Sequence, residues 1–278
     1  MPSSIAHGPV AGTLRHEAQH ARAHTPAGAD PQALSAGLAR LRHAIEHGLF
    51  VLHFQPIVSV SDRRVCHYEA LLRLADEPDG ALIAPARFLP AAERYGLIGD
   101  IDRLVLDRVL ALLSEHTPCR IAVNVSALSV TDPTMLSFVE RRLRHYGVAP
   151  SRLSIEITET AAIPDMDRAR EFCRGALVLG CGVALDDFGA GFGSFQYLKR
   201  LPFSHLKLDG EFIRRLPASP IDQLLVSALT NVAHGMGAKT VAEFVGDEQT
   251  MQLLGRYGVD YAQGFAVGRP QAWLPGLV

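Results

Sequence analysis

Seven apolar stretches of this 278-residue chain carry a polar residue within them or at their ends. Glu69, Asn124, Glu156, the pair Asp186-Asp187, Lys207, Glu243 and Gln263 follow one another at intervals of 55, 32, 30, 21, 36 and 20 residues, with Asp186 standing for its pair. Taken singly, any of them is as well explained as a cap or a surface carboxylate. Together they are five carboxylates, two amides and one ammonium. Such residues buried side by side without a cation would repel one another and be costly to desolvate. Oxygen-rich sets of this kind suit hard divalent ions such as Mg²⁺ or Mn²⁺. The tandem Asp186-Asp187 suggests one carboxylate shared by two metals, an arrangement suited to splitting a phosphodiester.

Something must bring these residues to one place, and the surrounding pattern says what. Short apolar or β-branched runs at Val51 to Val58, Cys66 to Leu72, Ile121 to Val125, Leu153 to Ile157, Val183 to Asp186, His205 to Leu208, Lys239 to Glu243 and Tyr261 to Phe265 read as strands. Helical patterns fill most of the gaps, as at Ile101 to Leu113, Met135 to His145 and Ile221 to His234. Strands alternating with helices predict a parallel sheet, and this many repeats predict an α/β protein closed as a (β/α) barrel. Strand ends of a barrel converge on one face, and each later interval is about the length of one βα unit. No fixed-period repeat is visible, which argues against a solenoid.

Composition narrows the class. Apolar residues make up 48% and charged residues 20%, as in a folded globular protein. With 27 Lys plus Arg against 29 Asp plus Glu, the net charge is -2, which argues against duplex nucleic acid as a partner. Cys66, Cys119, Cys173 and Cys181 form no C-x-x-C pair, so free thiols in a reducing cytoplasm are expected. No segment resembles a signal peptide or reaches the roughly 18–20 apolar residues of a membrane span.

Residues 1–29, rich in Ala, Gly, His, Pro and Ser, read as a flexible tail or linker, and 30–278 as one barrel domain led by a helix over 30–48. Asp30-Pro31 offers a cap and a first-turn proline, Leu34, Leu38, Leu41 and Ile45 share one helical face, and Gly48 ends it. His16-Glu17-Ala18-Gln19-His20 fits the zinc-protease pattern H-E-x-x-H, but its flanks are polar and small, so a solvated tail is the better reading.

The ordered set of motifs resembles the EAL domain family of cyclic di-GMP phosphodiesterases. It runs Phe54-Gln55-Pro56-Ile57-Val58, Glu69-Ala70-Leu71-Leu72-Arg73, Phe88-Leu89-Pro90-Ala91-Ala92-Glu93, Val123-Asn124-Val125-Ser126 and Glu156-Ile157-Thr158-Glu159. Asp186-Asp187-Phe188-Gly189-Ala190-Gly191, Lys207-Leu208-Asp209, Ala242-Glu243 and Gln263-Gly264-Phe265 complete it, so the resemblance covers roughly residues 48–271. It implies a modified (β/α)₈ TIM-type barrel with one antiparallel strand. It also implies two divalent cations, Mg²⁺ or Mn²⁺: one held by Glu69, Asn124, Glu156 and Asp186, the second by Asp186 with Asp187 and Glu243. Lys207 would stabilise phosphate charge or orient water, and Arg73, Gln55 and Gln263 would meet the substrate. Glu159 would anchor the loop after Asp187, whose Gly189, Gly191 and Gly193 permit movement. The reaction implied is hydrolysis of one bond of cyclic di-GMP to linear pGpG, lowering a bacterial second messenger, in a homodimer.

The chain departs from that pattern where many members read A-E-G-V-E. Here the segment is Ala242-Glu243-Phe244-Val245-Gly246, so the second glutamate is missing, with Asp247 and Glu248 as candidates to compensate. Gly193 stands where serine is frequent, and Leu74 where an aromatic often follows Arg73. These changes favour as the alternative a weak or inactive receptor that binds cyclic di-GMP and signals through a partner.

Overall fold

The computed structural model describes residues 31–75, 81–158, 163–189 and 194–272. Helix α1 (Pro31–His47) is followed at once by a long hairpin of β1 (Phe50–Ser59) and β2 (Val65–Ala75), paired antiparallel from Phe50 opposite Leu74 to Val58 opposite Val65. A two-residue strand β3 (Leu82–Ile83) and helices α2 (Leu89–Arg94) and α3 (Ile98–Glu115) lead into the repeating part. That part runs β4 (Ile121–Asn124), α4 (Ala127–Val130), α5 (Met135–Tyr146), β5 (Leu153–Thr158), α6 (Met166–Leu179), β6 (Gly182–Phe188) and α7 (Ser194–Arg200). It finishes with β7 (His205–Leu208), α8 (Gly210–Arg214), α9 (Pro220–Gly235), β8 (Lys239–Ala242), α10 (Glu248–Arg256) and β9 (Tyr261–Gln263).

Eight of these strands close on themselves. From β2 the order is β4, β5, β6, β7, β8 and β9, all in parallel pairings, and β1 closes the ring antiparallel to both β9 and β2. All eight strands read from the sequence are present, as is the single antiparallel one in the ring. The addition is β3, paired antiparallel to the outer edge of β2. Two residues are too few for the alternation that reveals a strand.

The period of two along each strand explains the sorting of side chains. In β5, Ile155 and Ile157 face the helices and are fully buried, so Glu156 between them faces the interior of the ring. Register repeats this around the barrel: Gln55 lies opposite Glu69, and Asn124 beside Glu156. Outside the ring, Leu106, Leu110 and Leu113 of α3 and Val139 of α5 are fully buried, which makes an apolar shell between sheet and helices. That shell leaves the barrel interior free to be polar. Among the described residues, no helix is long and apolar enough to cross a membrane.

Candidate metal centre

Lys207 is the hub of the barrel interior. Only 1% exposed, its Nζ lies 2.7 Å from Glu156 Oε2, 2.9 Å from Asp186 Oδ1, 3.0 Å from Glu243 Oε1 and 3.6 Å from Glu69 Oε2. β2, β5, β6, β7 and the residue just past β8 supply these five side chains, so the barrel itself sets the distances. Around them, Asn124 Nδ2 donates to Glu69 Oε1 at 2.7 Å and Gln263 Nε2 to Glu69 Oε2 at 2.6 Å. Gln263 Nε2 also donates to Gln55 Oε1 at 3.1 Å, and Gln55 Nε2 to the Gly268 carbonyl at 3.0 Å. Glu69 is thus held in place by two amides, one of them braced by a third.

The carboxylates form two groups. One oxygen each from Glu69, Glu156 and Asp186 lie within 4.8 Å of one another, and so do oxygens from Asp186, Asp187 and Glu243. Asp186 belongs to both, which is the sharing that the tandem aspartates suggested. Asp187 reaches its place through a left-handed backbone, φ 55°, and its amide donates to Asp186 Oδ1 at 2.9 Å.

Four acids facing one ammonium, with Asp187 beside them, leave a surplus of negative charge in a poorly solvated place. Burial pushes Glu156, Glu243 and Asp186 up from the ordinary carboxylate range; the Lys207 charge opposes that rise in each, and the neighbouring carboxylates add to it. Burial, then the charge of Asp186, raises Asp187 to about 8. Burial would lower Lys207, yet the fields of Asp186, Glu156, Glu243 and Glu69 hold its ammonium well above the usual value. Two interior oxygens, Glu243 Oε2 and Gln263 Oε1, have no hydrogen-bond partner among the described residues. Surplus charge, oxygen-only donors and orphaned acceptors fit hard divalent cations.

Of the residues expected from the sequence, Glu69, Asn124, Glu156, Asp186, Asp187, Lys207, Glu243, Gln55 and Gln263 come together. Gln263 supports Glu69 directly, an arrangement its position in the chain did not reveal. Arg73 stands four residues past Glu69 on the same face of β2, half-buried, with Nη1 donating to the Leu72 carbonyl at 2.7 Å. Glu159, Gly191 and Gly193, like the His16 and His20 pattern, lie outside the described residues. At Gly246 a Cβ would meet nothing within 4 Å, so the space beside the backbone does not itself exclude a side chain. Neither neighbour takes its place: Asp247 caps α10, accepting from the Thr250 amide at 2.7 Å, and Glu248 pairs with Arg63 at 2.8 Å. Asp209 belongs to the Lys207-Leu208-Asp209 motif but carried no role in the sequence reading. Buried to 2%, it caps α8 through the Glu211 amide and adds negative charge beside Asp187. Its position just past the apolar run that ends β7 was the available signal.

The EAL domain family model matches residues 38–270. The cyclic di-GMP phosphodiesterase PdeB of Shewanella oneidensis is 37% identical over 239 residues, covering 84% of this chain and 28% of that protein. The bifunctional diguanylate cyclase/cyclic di-GMP phosphodiesterase MucR of Pseudomonas aeruginosa is 39% identical, covering 83% of this chain and 34% of that protein. The chain therefore spans about a third of the length of these curated relatives. Among solved structures, a PaMucR phosphodiesterase complex with c-di-GMP superimposes with a TM-score of 0.78 at 38% identity, covering 85% of this chain and 97% of that one. The Xanthomonas citri FimX EAL domain with c-diGMP gives 0.78 at 30% identity, covering 86% and 94%.

Removing the hub tests the electrostatics. Lys207→Met should destabilise the cation-free protein by about 3–5 kcal/mol, the usual cost of deleting one partner of a buried ion cluster. Added Mn²⁺ should recover more stability in that variant than it adds to the wild type, as read by thermal melts with and without the ion. Equal melting temperatures without metal would contradict the charge surplus.

Proposed function

Because the chain belongs to the EAL domain family, we propose that it is a cyclic di-GMP phosphodiesterase, cutting one phosphodiester bond to give linear pGpG. The observation that carries the reading is the pair of carboxylate groups sharing Asp186 around the Lys207 ammonium. Glu69, Asn124, Glu156 and Asp186 would hold one Mg²⁺ or Mn²⁺, and Asp186, Asp187 and Glu243 a second. When bound, such ions acidify water and neutralise phosphodiester charge.

The chain's own groups supply the rest. Lys207 balances the carboxylates that face it and places a positive charge where phosphate charge develops in the transition state. Arg73 presents a planar guanidinium suited to two phosphate oxygens at once. Gln55 and Gln263 keep Glu69 oriented toward the centre. Glu159 is proposed to anchor the loop after Asp187. The four thiols are unpaired, which fits a reducing cytoplasm.

We also propose that the active form is a homodimer built on α9. Ile221, Leu224 and Val232 on that helix and Met236 just past it are 61%, 64%, 42% and 49% exposed. Its acidic residue, Asp222, is buried against Arg215. A face without exposed carboxylates or ammonium groups suits a two-fold contact, in which each patch meets its own copy. Leu224→Glu should convert dimer to monomer in analytical ultracentrifugation, and an unchanged mass would remove α9 from the interface.

A receptor that binds cyclic di-GMP without cutting it has Gly246 in its favour, since the pattern's second glutamate is absent. The two readings separate on turnover by the wild type, with one variant as control. Glu69→Ala should abolish conversion to pGpG, followed by chromatography, while the wild type converts the substrate. A wild type that binds cyclic di-GMP and makes no pGpG would establish the receptor.

A further inference from the structure

Glu69 is not the last side chain of β2 to face the inside of the ring. With a period of two, Leu71 and Arg73 follow it on the same face, toward the end at which β4 and the other parallel strands finish. β1 runs the other way, so there the order reverses: Gln55 lies opposite Glu69, His53 opposite Leu71 and Val51 opposite Arg73. Burial marks this face as the inner one. Ile57 and Leu71 are buried yet stand apart from the apolar shell, whereas Phe54, Ala70 and Leu74 of the other face all belong to it. His53 is therefore the first inward side chain of β1 beyond Gln55 on the way out of the barrel.

Exposure rises along this line, from buried Gln55 through half-buried His53 to exposed Val51. Both ends of the Gln55 amide are taken, one by the Gly268 carbonyl and the other by Gln263. Among the described residues no hydrogen bond engages the His53 ring. Its charged neighbour across the hairpin is Arg73, the next inward residue after the one opposite, a diagonal within reach of long side chains. Burial, then the charge of Arg73, lowers the imidazole from its usual value, so at neutral pH the ring is uncharged and keeps one N–H to donate. Arg73 turns one nitrogen back to the Leu72 carbonyl and has further N–H groups to give. Two donors on adjacent strands thus stand just outside the carboxylates, with only Leu71 and Val51 beside them on that face of the hairpin.

We propose that His53 is a substrate-binding residue, its imidazole N–H donating to a phosphate oxygen that Arg73 grips from the neighbouring strand. The proposal deepens the phosphodiesterase reading and rests on it. A phosphate seated at the carboxylate groups turns its outer oxygens toward the open end of the barrel, where these two donors stand.

The test titrates cyclic di-GMP into the full chain by calorimetry, with Ca²⁺ in place of Mn²⁺ so that binding is read without turnover. The variants are His53→Leu, His53→Gln, Arg73→Ala and the double variant of His53→Leu with Arg73→Ala. His53→Leu should weaken binding about tenfold, the usual weight of one hydrogen bond to a charged group. His53→Gln, which keeps an N–H, should recover most of that loss. The double variant should lose less than the product of the two single factors, because both groups serve one phosphate. Mn²⁺ affinity of His53→Leu, read by electron paramagnetic resonance, should match the wild type, which separates a substrate contact from a disturbed carboxylate cluster. Wild-type affinity for cyclic di-GMP in His53→Leu would overturn the proposal, as would a parallel fall in its Mn²⁺ affinity or single factors that simply multiply. Because binding is read apart from turnover, a wild type that binds the dinucleotide but makes no pGpG with Mn²⁺ would refute the phosphodiesterase reading alone.

Discussion

Burying four carboxylates around one ammonium is the constraint to which the rest of this structure answers. Charges taken out of water are tolerated only when paired and hydrogen-bonded. Lys207, 1% exposed, balances Glu69, Glu156, Asp186 and Glu243 only in part. No single helix or hairpin could hold so many like charges at these distances. A closed ring of strands can, because its hydrogen bonds fix every Cα around the centre while an outer shell of Leu, Ile and Val supplies the stabilising burial. The polar interior and the apolar exterior are thus two faces of the same strands, separated by the two-residue period.

Much of this was legible in the sequence for a physical reason. A carboxylate inside a β-branched run, as in Leu153 to Ile157, is too costly to be incidental, and Glu156 announced itself that way. The order and spacing of such interruptions indicated a barrel, and the tandem Asp186-Asp187 indicated a shared ligand. What escaped was what depends on backbone direction and on contacts between distant segments. Gln263 was expected at the substrate; the part that stayed hidden is that its amide nitrogen is engaged by Glu69 and Gln55. Asp247 and Glu248 were candidates to replace the carboxylate missing at Gly246, but one caps α10 and the other pairs with Arg63. Phe244 stands where the pattern A-E-G-V-E has glycine. Its left-handed φ and Gly210 beneath its ring appear only when β7 and β8 lie side by side. α8 lies between the Asp186-Asp187 segment and the Glu243 segment, and it packs on α9, whose outer face carries exposed Ile221, Leu224 and Val232.

The central claim is that this carboxylate cluster hydrolyses cyclic di-GMP only with divalent cations in place. The most direct measurement is conversion of cyclic di-GMP by EDTA-treated protein before and after Mg²⁺ or Mn²⁺ is restored, with the product identified by mass spectrometry. The account predicts no conversion in EDTA and formation of linear pGpG once the ion returns. Conversion that persists in EDTA, or none at saturating Mn²⁺ although the dinucleotide binds, would contradict it.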